Sequence, residues 1–451
     1  AICIEGTGAE LHIAGGEVSG NTANKGGGIY ISGGKLYINT DDSGDPNSSS
    51  TQTNITNNYT KSDRYAAEAN GGAICSELNS ELKLHNIKIS QCGSKEPVAS
   101  GVAQAKGGGL YIDGGTAVLT SVEISDCTFI KTPSDANYSG ATGGAIYSNN
   151  ANVTLGKSGT SAYSCQIHHN TIGGNGMSGT FEGGGIYSYK GTLKIYGGKI
   201  EFNKVEGHLA KGGGIAQNDT NLLLDGTVIT DNTASYRGGG VDGLNISSFT
   251  MKGSATVTPS TGGEQWMQGK NDVFLPVNAE ITIEGNLIPV DGGEAARITP
   301  QRYATINQVL DGDITDGTPQ NYTKFTVTPK IVGGTPQPWT VGGNGRLKQG
   351  RYTEVPYGQL GAYLDNNASS TEVNYIEVTG ISAADLTGSY GSPPDPGALG
   401  QKIKNNSSKK VALKLPSGLS VTDMSACFSQ CENLVSLENF PSGVTDMRAW
   451  F

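Results

Sequence analysis

Over the first 260 residues short apolar runs return at a near-constant interval, and the spacing leaves room only for β-strands joined by tight corners. The clearest instance is the stretch KGGGIAQNDTNLLLDGTVITDNT at 211–233. A Gly triple, Gly212 to Gly214, leads into Ile215; Leu222 follows seven positions on, Ile229 seven further, and Asn232 three after that. Aligned on the apolar residue after each Gly pair or triple, first stops fall at Ile29, Ile74, Leu110, Ile146, Ile186, Ile215 and Val241. Second stops are Leu36, Leu82, Val118, Val153, Leu193, Leu222 and Phe249. Third stops open an Ile/Val-x-x-Asn/Cys signature at Val18, Ile55, Ile89, Ile124, Ile167, Ile200 and Ile229, and Ile4, Leu11 and Val18 carry the rhythm to the N-terminus. Three strands per coil predict an all-β fold, a right-handed parallel β-helix over residues 1–290.

Alternation within a strand sends Ile29 and Ile31 inward and Tyr30 outward. The Gly triples suit a corner with positive φ where neighbouring backbones pack too closely for a Cβ. Asn21, Asn58, Asn170, Asn203 and Asn232 form a column, expected to occupy left-handed corners and to hydrogen-bond along the axis. Cys92 and Cys127 take the same place in their coils, either as a disulfide between coils or as two buried thiols. Outward tyrosines, Tyr30, Tyr111, Tyr147 and Tyr187, predict an aromatic ladder, either a binding face or ordinary cross-strand stacking on a solvent-facing sheet.

The length between the Asn or Cys and the next Gly triple varies, with KTPSDANYSGAT (131–142) and TIGGNGMSGTFE (171–182) the long examples. A further insertion occupies 40–53. Insertions gathered at one corner map to one side of a solenoid, and that side is the expected binding surface.

Composition adds restrictions. Glycine supplies 68 of 451 residues and charged residues only 16%, a turn-rich chain poor in helix. The net charge of −10 argues against nucleic acid, and no apolar run is long enough for a membrane-spanning helix. Asp41, Asp42 and Asp45, and Asp311, Asp313 and Asp316, offer oxygen ligands, but their spacing fits no calcium loop. His168 and His169 sit side by side on a third strand, so alternation should part them, and no zinc spacing occurs among the seven cysteines. Carboxylates do not recur on one face of consecutive coils; Asp126 and Asp231 share a repeat position but stand several coils apart. The expectation is a protein that is not an enzyme and needs no cofactor. A carbohydrate-active enzyme and a structural spacer are the alternatives.

The motif GGAI at Gly71 to Ile74 and Gly143 to Ile146, with relaxed versions in the other coils, resembles the polymorphic outer-membrane protein repeats of the chlamydial type, with Ile or Val in place of the Phe of FxxN. That resemblance implies an adhesive role at a cell surface or outside the cell, with a host or matrix protein or a glycan as partner. Residues 291–350 read as a β-rich cap or small β module. Residues 351–410 read as a linker and capping segment, with GSYGSPPDPGALG at 388–400 as the boundary. VTDMSACF at Val421 and VTDMRAWF at Val444, 23 residues apart with CENLVSLENFPSG between, resemble the leucine-rich repeats of BspA-type surface proteins over 411–451. Because the first residue falls inside a coil and the last inside a repeat, the chain reads as a piece of a longer protein.

Overall fold

The computed structural model describes residues 1–41, 51–61, 68–94, 103–130, 138–173, 179–258, 272–290 and 293–450. The fold is mostly β, 50% strand against 7% helix, and its large sheets are parallel. The chain divides into two compact units, Ala1–Val290 with Ala295–Arg302, and Asp291–Glu294 with Tyr303–Phe451.

In the first unit each strand lies beside its counterpart in the next rung, in register apart from shifts at Ala103/Gln104 and between Gln217 and Asn221. The first strands align Ile2, Ile29, Ile74, Leu110, Ile146, Ile186, Ile215, Val241 and Val273 in one column. The third strands align Val18, Ile55, Ile89, Ile124, Ile167, Ile200, Ile229 and Val257. The second column runs Leu11, Leu36, Leu82, Ala117, Val153, Leu193, Leu222 and Phe249. Nearly all of these side chains are buried, and stacking like on like gives each rung a similar cross-section. Two expectations shift along the strand, one by a single residue and the other by two. Ala117, not Val118, takes the inward place, leaving Val118 39% exposed. At the N-terminus Ile2, not Ile4, pairs with Ile29. A one-residue slip reverses the face of every side chain, so the smaller Ala117 is accepted to keep Leu119 inside.

The glycine triples divide their labour by position. The first glycine is left-handed in every rung, with φ between +57° at Gly26 and +72° at Gly183. At the second, φ is ordinary but a Cβ would strike the next rung's backbone: Gly72 faces the Gly108 carbonyl and Gly108 that of Gly144. The third is looser, and alanines stand there at Ala73 and Ala145.

The connections between the Asn or Cys and the following Gly pair or triple, expected as loops, contain two further strands in five of the rungs and one in the two end rungs. Outgoing strands such as Thr128–Ile130, Thr171–Gly173 and Lys204–Glu206 stack in a seven-stranded parallel sheet. Return strands such as Ala103–Lys106, Tyr138–Thr142, Thr180–Glu182 and Leu209–Lys211 form a five-stranded one. Between them lies a second apolar core in which small residues of the return strands, Ala69, Ala105, Ala141 and Ala210, accommodate Phe129, Ile172 and Val205 of the outgoing ones. The parts of the long connections at 131–137 and 174–178, and Asp42 and Asp45 of the 40–53 insertion, lie outside the described residues.

The segment expected as a cap divides: Ala296–Pro300 extends the parallel stack of the first unit, through Val257 and Val273. In the second unit two antiparallel hairpins, Lys330–Val332 with Thr335–Gln337 and Trp339–Val341 with Leu347–Gln349, precede a four-stranded parallel sheet. That sheet comprises Thr353–Pro356, Asn374–Thr379, Val411–Lys414 and Leu434–Glu438, with the helices Leu360–Asn366 and Ala398–Lys404 on the connections between them. The 23-residue interval appears as backbone pairing: the Met424 and Ala426 amides donate to the carbonyls of Asp446 and Arg448 at 2.9 and 2.8 Å. Gly388 to Gly400, expected as a linker, is packed. Leu399 is buried in the same core as Val355 and Phe428. A Cβ on Gly388 would meet the Ala426 carbonyl at 2.6 Å, and one on Gly400 that of Cys427. Close backbone approach, not a domain boundary, accounts for glycine there.

Candidate functional site

The expected Asn column is a hydrogen-bonded ladder, although its members are not the left-handed residues. Positive φ falls one position earlier, at Gly20 (71°), Asn57 (55°), Gln91 (55°), Asp126 (54°), His169 (56°), Phe202 (54°) and Asp231 (53°). This turns the next side chain back across the rungs. Asn203 Nδ2 donates to Asn232 Oδ1 at 2.9 Å and to the Ile167 carbonyl at 2.9 Å, while Asn170 Nδ2 donates to Asn203 Oδ1 at 2.9 Å. Asn21 Nδ2 meets Asn58 Oδ1 at 3.0 Å in the same way. Cys92 and Cys127 interrupt the ladder as free thiols; Cys92 Sγ reaches the Ser90 carbonyl at 3.3 Å, and the Cys127 amide donates to Asn170 Oδ1 at 3.0 Å. Burial pushes the Cys127 thiol well above its ordinary range.

His168 and His169, expected on opposite faces, meet with their Nδ1 atoms 2.8 Å apart, because the left-handed backbone at His169 breaks the alternation. His168 Nε2 lies 3.4 Å from Glu123, and the His169 ring stacks on Phe202. Among the described residues no group of three or more His, Cys, Asp or Glu is placed to hold a metal ion.

The tyrosines point away from the main core, yet they are not solvent-exposed. Tyr111, Tyr147 and Tyr187 stack at centroid separations of 5.1 and 5.4 Å and keep only 5–8% of their surface exposed. Tyr30 stands apart: its column neighbour Cys75 separates it from Tyr111, and its hydroxyl donates to Glu77 at 3.0 Å. The return strands bury the tyrosines. One face of those strands fills the second core, and the other presents a polar column, Lys25, Asn70, Lys106, Thr142, Glu182, Lys211 and Arg237, toward the rings. Lys106 Nζ lies 5.6 Å from the Tyr147 centroid, and burial with the nearby Glu182 carboxylate pushes the Tyr187 phenol up to about 12. Glu182 pairs with Lys211 at 3.1 Å. Further along, Arg237 pairs with the fully buried Asp242 at 2.7 Å, and burial still holds that carboxyl up at about 6.

Between the two walls opens a groove of about 380 Å³, with Gln104, Lys106, Thr142, Thr180 and Glu182 on the return-strand side and Tyr147, Tyr187, Tyr189 and Asn218 on the other. It is of the size of small-molecule sites. Of the four tyrosines singled out by sequence, only Tyr147 and Tyr187 line it; Gln104, Glu182, Tyr189 and Asn218 had not been singled out. A sequence signal for the return-strand wall exists. Five of the seven Gly pairs or triples are preceded by an apolar-then-polar pair, Ala69-Asn70, Ala105-Lys106, Ala141-Thr142, Phe181-Glu182 and Ala210-Lys211, a two-residue period that marks a strand with unlike faces. No protein-family model, no curated protein and no solved structure matches the chain.

Proposed function

We propose that the first unit is a right-handed parallel β-helix and that the protein is a non-catalytic, adhesin-like protein of a cell surface or the extracellular space, binding a host or matrix protein or a glycan. The observation that carries this reading is the division of each rung into an invariant part and a free part. Registered aliphatic columns and glycine corners fix the backbone, while chain length varies only between neighbouring strands at the rim. Right-handedness follows from the near-universal hand of parallel crossovers. The second unit, with its 23-residue interval and parallel sheet, supports the start of a leucine-rich solenoid, an architecture that offers an extended contact face. The groove favours binding over hydrolysis: Glu182, the carboxylate lining it, is tied to Lys211 and has no second carboxylate across from it among the lining residues.

The test is a binding screen of the protein against extracellular-matrix proteins and glycans, repeated after shortening residues 131–137 and 174–178. Binding by the native protein, reduced in the shortened variants without a change in melting midpoint, is the expected result. Turnover of a polysaccharide, or no binding to either panel, would contradict the reading.

A further inference from the structure

We infer that the groove between the tyrosine column and the return strands is a binding site for a neutral oligosaccharide. The inference rests on the adhesin-like reading and names the ligand class and the place. Sugar recognition needs an aromatic face for the pyranose C–H surface and planar polar groups that accept and donate at fixed angles to its hydroxyls. Both are present. Tyr189 is half-buried at the mouth of the groove, on the same wall as Asn218, while Gln104 and Glu182 supply an amide and a carboxylate from the facing wall. Lys190 Nζ sits 5.0 Å from the Tyr189 centroid, so the sugar stacks on the opposite face of that ring.

Charge and length narrow the class. The lining holds one amine, Lys106, and one carboxylate, Glu182, so it favours neither an anionic nor a cationic ligand. Its members come from four successive rungs, from Lys106 through Thr142 and Glu182 to Asn218. At about 4.8 Å per rung that is roughly 14 Å of groove, the length of three or so linked pyranoses running along the stack. Glu182 is held in place by Lys211, the Tyr147 and Tyr187 rings by their mutual stacking, and Asn218 is 3.1 Å from Asn245, so the polar groups are fixed before a ligand arrives.

The test uses the whole chain with neutral tetrasaccharides of glucose, mannose, galactose and N-acetylglucosamine, and with heparin and polygalacturonate tetrasaccharides as the anionic arm, read by isothermal titration. The expected result is binding of at least one neutral tetrasaccharide, weakened tenfold or more by Tyr189→Ala and by Gln104→Ala and retained within threefold by Tyr189→Phe. Both positions lie at the groove surface, and an unchanged melting midpoint confirms folding. Binding confined to the anionic arm, or neutral binding untouched by Tyr189→Ala, overturns the site. Binding to matrix proteins with none to saccharides overturns the saccharide site while leaving the adhesin-like reading standing; binding to neither overturns both.

Discussion

Asn203 shows how much one polar side chain does inside the first unit. Its amide and carbonyl serve Asn170, Asn232 and the Ile167 carbonyl, all removed from water. Truncation strands several of these groups at once, each costing about 1–3 kcal/mol. We expect Asn203→Ala to lower stability by about 3 kcal/mol in a denaturant titration. Asn21→Ala, at the exposed end of the ladder, should cost under about 1 kcal/mol. The thiols give a second residue-scale test: Cys3 is exposed and the other six cysteines are buried, so alkylation of the native protein should label Cys3 alone and alkylation in denaturant all seven. Asp272 shares the pH dependence with Asp242. It is fully buried and accepts hydrogen bonds from Thr299 Oγ1 and the Gly239 amide, and burial raises its carboxyl from 3.8 to about 6. The folded chain therefore holds this proton more tightly than the unfolded one. The associated stability is complete below about pH 4 and is lost as the pH rises through 6, on the order of 2–3 kcal/mol. Asp272→Asn should lessen the fall of the melting midpoint between pH 5 and pH 7 relative to the native chain, the remaining fall coming from Asp242, whose buried carboxyl is likewise held up at about 6.

At the scale of the element, the aliphatic columns could be read from sequence because they obey two signals at once, a fixed interval and a glycine corner. Where only one signal is present the sequence is ambiguous. By hydrophobicity alone Val118 outranks Ala117, and only the pairing of Leu82 with Ala117 reveals the pleat. The outgoing and return strands are two to five residues long and carry Ala, Lys and Thr as often as Ile or Val, so their strand character comes mainly from tertiary pairing. The left-handed corners were misplaced by one residue because Asn tolerates positive φ; in the structure, residues as unlike as Phe202 and Asp231 adopt it while the following Asn holds the rungs together. The glycine triples give the element-scale test. Gly108→Ala places a methyl against the Gly144 carbonyl and should cost more than about 3 kcal/mol, whereas Gly109→Ala, 2.9 Å from the Ala145 carbonyl, enters a position other rungs fill with alanine and should cost about 1.

At the scale of the molecule, sequence pointed to the flank of the rungs where the groove lies but not to the groove itself. Variable length marked where strands could differ, and Tyr147 and Tyr187 were visible as an outward stripe. The groove depends on a second wall, the return strands, whose presence turns an exposed aromatic ladder into a nearly buried one. Among the described residues no helix is long and apolar enough to cross a membrane. Everything proposed for the first unit depends on rungs stacked in register, and disulfide trapping measures that directly. In a Cys3→Ser background, Asn152→Cys with Thr192→Cys joins two residues paired across adjacent rungs, whose side chains already meet at 2.8 Å. Mild oxidation followed by peptide mapping should find this pair linked in nearly every molecule, and the pair Asn152→Cys with Lys194→Cys, displaced by two residues along the strand and beyond disulfide reach, linked in almost none. Equal linkage of both pairs, or linkage of the displaced pair alone, would contradict the stacked arrangement.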